Sequence, residues 1–190
     1  MAGPFSIVGQ YDVTNTGNRF VGNQATAAAI PITSTTSPKV CLWNTSPSVK
    51  LVLERISMGW VATTEAPGNF QLNVLQNTGA AAGTGLPLTA FTAGVLGTTI
   101  FSSKLGAGNI PQGQFGTAAT LTTAGVPAIT LGISHLTTTG TATFGSFTDD
   151  YWFWDSVIIL PYTLVYLTAS AATSSTYNVS FWWREVPLTD

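Results

Sequence analysis

The feature that most constrains the fold of this sequence is its scarcity of charge. Only 6 basic and 8 acidic side chains occur among 190 residues, which is 7% of the chain, whereas soluble domains are about 25% charged. Between Glu65 and Asp149 the single charged residue is Lys104. Because charge keeps a protein surface dissolved and discourages non-specific association, such a chain is embedded in lipid, is unfolded, or packs against other copies or partners.

The apolar residues exclude the first two of these states. A membrane-spanning helix needs about 20 consecutive apolar residues, but the most apolar runs here end at Pro161 and at Thr168. Disordered chains are poor in aromatic and branched apolar residues, yet this chain is 45% hydrophobic and 11% aromatic. The sequence therefore predicts a folded protein that functions in an assembly and has no membrane partner.

The numbers of cysteine, histidine, acidic and basic residues argue against disulfides, metal sites and nucleic-acid binding. Cys41 and His135 are the only cysteine and the only histidine, so neither a disulfide framework nor a multi-histidine zinc site can form within the chain. Asp149, Asp150 and Asp155 lack the spacing of a calcium-binding loop and are interpreted as a solvated loop rim. The six dispersed basic residues provide no footprint for nucleic acid. We expect no metal, no cofactor and no nucleic-acid partner.

Catalytic motifs are also missing from the sequence. No serine stands in a G-x-S-x-G turn, and the adjacency of Ser134 and His135 does not create the geometry of a nucleophile and its base. The glycines at 79–85 and 106–108 do not continue as phosphate-binding loops. We therefore expect a protein that is not an enzyme.

Alternating side chains predict β-strands, and no segment has a convincing helical pattern. Residues 70–75 alternate between turn signals at 67–68 and 77–79. Residues 177–184 alternate more strongly, which predicts one core face and one solvent or partner face. The core set is Tyr177, Val179, Phe181 and Trp183, and the outer set is Asn178, Ser180, Trp182 and Arg184.

Eight or so short strands, separated by Gly, Pro, Ser, Thr and Asn, predict an all-β fold with a single domain over 1–190. The specific expectation is an antiparallel β-sandwich of jelly-roll type. Residues 1–38 are interpreted as an N-terminal arm, and residues 78–147 as a long, loop-rich excursion dominated by Gly, Ala and Thr. Because this excursion overlaps most of the charge-poor stretch, we predict that it meets other copies or a larger shell.

The densest aromatic segment is 149–155, with the sequence DDYWFWD. Neighbouring residues on a strand face opposite sides, so either Tyr151 with Phe153 or Trp152 with Trp154 leaves the core face. Since Trp and Arg are enriched at the centres of interfaces, contact with a partner is the favoured role of the outer aromatic residues. Ordinary core packing and a sugar-binding platform are the alternatives. The predicted partner-contact residues are Trp152, Trp154, Trp182 and Arg184.

Two parts of the chain resemble a known class of proteins. Residues 39–44 (KVCLWN) and 51–59 (LVLERISMG) form the first part, and residues 159–161 (ILP) and 177–187 (YNVSFWWREVP) belong to the second. Their pattern resembles that of small structural proteins from the virions of tailed bacteriophages. The resemblance implies a β-sandwich that serves as a head decoration, cement or fibre-like component, often as a trimer. It also implies a major capsid protein or another virion protein as the partner.

The leading functional hypothesis is a non-enzymatic virion structural protein that self-assembles, with a trimer favoured, and binds the viral shell. Met1, Ala2, Gly3 and Pro4 do not begin a secretory signal peptide, which predicts synthesis in the host cytoplasm before incorporation into the virion. The alternative is a carbohydrate-binding or receptor-binding module of a phage tail or surface structure.

Overall fold

The computed structural model describes residues 18–62, 69–76, 88–95, 97–102, 109–134, 148–171 and 175–188. Within these residues no helix is long and apolar enough to cross a membrane. The secondary structure of the described residues consists of twelve strands: β1 (Arg19–Asn23), β2 (Ala28–Ala29), β3 (Cys41–Asn44), β4 (Val49–Ala62), β5 (Asn69–Leu75), β6 (Leu88–Ala93), β7 (Ile100–Ser102), β8 (Gly113–Leu121), β9 (Val126–Ser134), β10 (Thr148–Ile159), β11 (Leu164–Ala169) and β12 (Thr176–Pro187).

The strands form two antiparallel sheets, which confirms the prediction of an all-β sandwich. Sheet A has the order β10-β4-β12-β1-β7, and the short strand β2 also pairs with β12. Sheet B has the order β6-β8-β3-β11-β5-β9. Its strands β5 and β11 are paired over six residues, so the centre of sheet B is regular.

The chain changes sheet between most successive strands. Strands β1, β4, β10 and β12 lie side by side in sheet A, whereas β3, β5, β9 and β11 lie side by side in sheet B. The remaining strands β6, β7 and β8 are inserted between β5 and β9. Strand β7 extends sheet A beyond β1, and the pair β8-β6 extends sheet B beyond β3. The inserted strands therefore widen both sheets rather than form a separate unit.

Core residues come from the inward faces of both sheets. The four predicted core residues of β12 are fully buried: Tyr177, Val179, Phe181 and Trp183. Tyr177 meets Phe70 of sheet B edge to face at 5.2 Å, and Phe181 meets Phe115 of sheet B at 6.0 Å between ring centroids. Such aromatic pairs prefer edge-to-face geometry because the ring edge is positive and the ring face negative. The alternation read from the sequence is thus confirmed for this strand.

A second apolar cluster lies on the opposite face of sheet B. Cys41, Leu164 and Tyr166 belong to it, and they alternate along β3 and β11 with residues of the main core. Ala119 and Leu121 of β8 complete the cluster. The segment preceding β3 is anchored to the same part of β8 by backbone bonds of 3.0 and 2.7 Å from these two residues. Strand β11 is consequently buried on both faces.

The structure differs from the sequence interpretation at two segments. Within 1–38, expected as an N-terminal arm, Arg19–Asn23 forms β1 and pairs with both β12 and β7. Within 78–147, expected as a loop-rich excursion with at most short strands around 98–102, 128–133 and 141–144, the described residues contain the four strands β6 to β9. Gly, Ala and Thr give little contrast between two strand faces, so the alternation there was weak. Residues 1–17 and 135–147 lie outside the described part of the chain.

Candidate functional site: the outer face of sheet A

The outer face of sheet A is the side turned away from the core. Trp182 and Arg184 lie on it because they alternate with the buried residues Phe181 and Trp183. Strand register extends this face sideways, since Trp182 pairs with Arg55 of β4, which in turn pairs with Trp152 of β10. Two of the predicted contact residues are therefore brought together through Arg55, a residue that the sequence interpretation did not select.

These side chains form a continuous stack, which we call the aromatic row: Trp154, Trp152, Arg55 and Trp182. The guanidinium carbon of Arg55 lies 5.0 Å from the ring centroid of Trp152 and 5.4 Å from that of Trp182. The rings of Trp152 and Trp154 are stacked at 6.1 Å with an interplanar angle of 30°. Each cation–π contact of this kind is worth about 0.5–1 kcal/mol at an exposed site. The row is thus held in place before any partner binds.

A bulge in β10 decides which aromatic residues are exposed. The register of β10 against β4 shifts between Trp152 and Val157, so four residues of β10 stand opposite Glu54 alone. Phe153 turns into the core and is 8% exposed, while Trp152 and Trp154 are 54% and 85% exposed. Of the two alternatives left open by the sequence, the structure has the tryptophans outside.

Trp154 adopts an uncommon backbone conformation within this bulge, with φ at 45°. A positive φ is an outlier for a bulky residue and costs about 1–3 kcal/mol. The side-chain hydroxyl of Ser156 donates a short hydrogen bond to the carbonyl of Phe153 and closes the bulge. The bulge therefore holds a large apolar side chain in solvent at a conformational cost.

Asp150 connects the aromatic row to a second row of side chains. Arg55 donates to Asp150 Oδ1 from Nε at 3.1 Å and from Nη2 at 2.8 Å. A hydrogen bond with Ser57 and the Arg55 guanidinium lower the pKa of Asp150 and outweigh the opposing effect of its slight desolvation. Asp150 is accordingly a carboxylate at neutral pH and fixes the orientation of Arg55.

The second row, which we call the polar row, runs across the same four strands. Asp150 pairs with Ser57, Ser57 pairs with Ser180, and Ser180 pairs with Asn23. The Ser180 hydroxyl donates to Asn23 Oδ1 at 2.9 Å. Next to this row lies Gly59, where an added Cβ would meet no atom within 4 Å. The outer face thus carries the exposed Asp150 carboxylate and the exposed Asn23 side chain beside open space, whereas the Ser57 hydroxyl itself is buried.

Arg184 lies on the outer face but belongs to a different group from the aromatic row. Glu54 accepts two contacts from Arg19, at 2.8 and 2.7 Å, and lies 3.5 Å from Arg184 Nε. All three arginines of the chain, Arg19, Arg55 and Arg184, therefore lie on the outer face of sheet A. Alternation could have placed Arg55 and Arg19 there, but only the register joins strands β1, β4 and β12.

The outer strands of sheet B have the opposite character. Within the described residues, β6 pairs only with β8 and β9 pairs only with β5. The described residues between 88 and 134 contain no charged side chain. Val126 at the start of β9 is 67% exposed, and Val95, which follows β6, is 62% exposed. Sheet B therefore ends in uncharged edges with exposed apolar groups.

The remaining titratable groups do not assemble a reactive site in the described part of the chain. No group of three or more His, Cys, Asp or Glu residues there could hold a metal ion. Burial raises the pKa of the Cys41 thiol, so this side chain behaves as a small hydrophobe. Glu185 is buried and accepts the backbone N–H groups of Gln112 and Gly113, both at 2.7 Å. His135, and the side chains of Asp149 and Asp155, lie outside the described residues.

Comparison with known proteins adds no identification. No protein-family model, no curated protein and no solved structure matches this chain. A function for the chain has therefore to be argued from its own surfaces.

Proposed function

We propose that this protein is a non-enzymatic structural subunit that self-assembles through the outer strands of sheet B as a component of a virion. We further propose that its sandwich is a jelly roll. The observation that carries the proposal is the pair of uncharged edge strands, β6 and β9, at the two ends of the same sheet. The assignment to a virion is based on the sequence resemblance over residues 39–75 and 155–187.

The strand order supports the jelly-roll interpretation. A jelly roll divides eight strands into two four-stranded sheets linked as Greek keys. Here the set β10-β4-β12-β1 faces the set β3-β11-β5-β9, with β6 to β8 as an insertion. Viral capsid domains and lectins are among the proteins built on jelly rolls. Because a fold supports many functions, the choice between them depends on the surfaces.

Exposed sheet edges support self-assembly. An edge strand presents unpaired N–H and C=O groups, and monomeric proteins usually protect it with charges, prolines or a covering segment. Pro127 is the proline near the start of β9, but the described part of β6 and β9 contains no lysine or other charged residue. Contact with another copy would pair these groups and bury Val126 without the desolvation cost of a charge.

The first prediction tests this assembly. Light scattering at micromolar concentration should find a mass several times that of the 19.9 kDa chain, with a trimer favoured. Val126→Lys places a charge on β9 and should shift the protein to smaller species, because a buried unpaired lysine is costly.

Val61→Lys is the matched control, since Val61 is an exposed valine on sheet A, 47% exposed. It should leave the mass unchanged. A monomeric wild-type protein, or equal effects of the two substitutions, would contradict assembly through sheet B. A gene for a major capsid protein beside the gene for this chain would support the proposal that the chain is a virion component. Self-assembly of the chain alone would not support that part of the proposal.

A further inference from the structure

We propose that the outer face of sheet A binds an oligosaccharide built from pyranose rings, with the aromatic row as the stacking platform and the polar row as the hydrogen-bonding edge. This inference goes beyond the proposed function. It concerns the opposite sheet from the one used for assembly, and neither proposal requires the other.

The aromatic row provides the apolar half of such a site. A pyranose ring presents C–H groups on its faces, and these pack on the flat face of an aromatic ring. Trp154 is 85% exposed and is supported from one side by Trp152, so most of its ring surface is open. The fold gains little from burying Trp154 and maintains it at positive φ, which is the kind of local cost that occurs at binding sites.

The polar row provides the hydroxyl-binding half. Along a strand, residues i and i+2 face the same side and lie about 7 Å apart, so Asp150 and Ser57 stand one such step from Trp152 and Arg55. Carboxylate, hydroxyl and amide groups are the side chains that exchange hydrogen bonds with vicinal hydroxyls. Because the Ser57 hydroxyl is buried, a sugar stacked on the row of rings would meet the exposed Asp150 carboxylate at its edge. The exposed amides of Asn23 and Asn178 lie further along the same face.

Gly59 leaves room for further sugar rings. It pairs with Asn178 of β12, which is exposed, and nothing lies within 4 Å of the position that its Cβ would occupy. The open surface at Gly59 lies next to the polar row, on the side away from Arg55. A chain of two or more sugars could then lie across β4 and β12 without displacing protein atoms.

Two observations favour a saccharide over a second copy of this chain on the same face. A two-fold contact places like patches together, and this face holds three arginines against the carboxylates of Glu54 and Asp150. If another copy instead placed the apolar edge of its sheet B here, the polar row would be desolvated without matching hydrogen bonds. A saccharide supplies hydroxyl groups at the polar row and C–H groups at the rings.

The test uses the full-length chain on an array of pentose, hexose and amino-sugar oligosaccharides, followed by titration of the best-bound one monitored by tryptophan fluorescence. Trp154→Ala should weaken binding at least about tenfold, which corresponds to about 1.4 kcal/mol. Trp154→Phe keeps a ring and should retain most of the affinity. Gly59→Leu should block binding, whereas Gly59→Ala should reduce it far less.

The outcomes separate the two proposals. Val126→Lys should alter the assembly state and leave saccharide binding unchanged, because it lies on sheet B. No binding on the array, or equal affinity of wild type and Trp154→Ala, would overturn the saccharide site. A change of mass in Trp154→Ala without saccharide binding would instead make this face a contact between protein chains. Each variant's thermal midpoint shows that it is folded.

Discussion

At the scale of single residues, Gly22 marks a point where the two sheets approach closely. It lies on β1 between Phe20 and Gln24, both buried, and therefore faces the core. A Cβ added at Gly22 would lie 2.2 Å from Cγ of Phe115, which belongs to β8 in sheet B. The aromatic ring of Phe115 thus occupies the volume that any other residue at position 22 would need.

We expect Gly22→Ala to lower the free energy of unfolding by about 1–3 kcal/mol, as over-packing of a core does. Urea unfolding monitored by fluorescence measures this loss. Gly59→Ala is the matched control, because its added Cβ meets open space on the outer face. It should be neutral or raise stability by up to about 1 kcal/mol, since alanine has less freedom in the unfolded chain. Equal effects at both positions would contradict the close approach.

At the scale of elements, β12 is the central strand of sheet A and the one best predicted from sequence. It pairs with β4 along its whole length and with β1 over five residues. Its apolar side chains differ so strongly from their neighbours that period-two alternation identified both faces. The buried face of β12 can be predicted from its own bulky aromatic residues, without knowing which strands pair with it.

Phe181→Ala should therefore cost about 3–5 kcal/mol, because it removes a fully buried ring that contacts Phe115. Asn178→Ala, on the exposed face of the same strand, should change stability by less than about 0.5 kcal/mol. Denaturant unfolding of the two variants measures both values. Similar losses would mean that the two faces of β12 are not separated in burial.

Strand β10 was predicted less completely for a physical reason. Its aromatic residues are all large and apolar, so alternation alone could not choose which pair faces outward. The choice depends on the bulge after Trp152, and the bulge exists only through pairing with β4. Arg55 was not predicted as a contact residue for the same reason. Its partners Trp152 and Trp182 lie on neighbouring strands that are far apart in sequence.

At the scale of the whole molecule, Glu185 makes stability depend on pH. It joins β12 to the segment before β8 through the backbone of Gln112 and Gly113. Burial raises its pKa from 4.5, although these two hydrogen bonds and the one from Trp183 act in the opposite direction. The folded protein therefore binds a proton at Glu185 more tightly than the unfolded chain does.

The expected result is a loss of stability as pH rises from about 4.5 through the raised pKa of Glu185. Glu185→Gln keeps an acceptor for both N–H groups and removes this titration, so the stability of wild type relative to the variant should fall across that range. Unfolding free energies measured from about pH 2 to pH 8 cover this range and the more acidic range of the control.

Asp150→Asn supplies a control of opposite sign. The pKa of Asp150 is lowered from 3.8, so its contribution is present above that value and is lost as pH falls through the lowered pKa. Wild type should gain stability relative to Asp150→Asn as pH rises through this more acidic range. A flat difference between wild type and Glu185→Gln would show that the burial of Glu185 does not affect its titration.

The sequence by itself determined that the chain folds into β-strands and where the clearest core face lies, because alternation and turn residues act within a few positions. It also determined that Lys104 is the single charged residue between Glu65 and Asp149. Only the tertiary structure decided that part of this stretch forms the uncharged edges of sheet B, and that Trp152, Arg55 and Trp182 form one row. Register between distant strands sets these neighbours, and no local pattern contains that information.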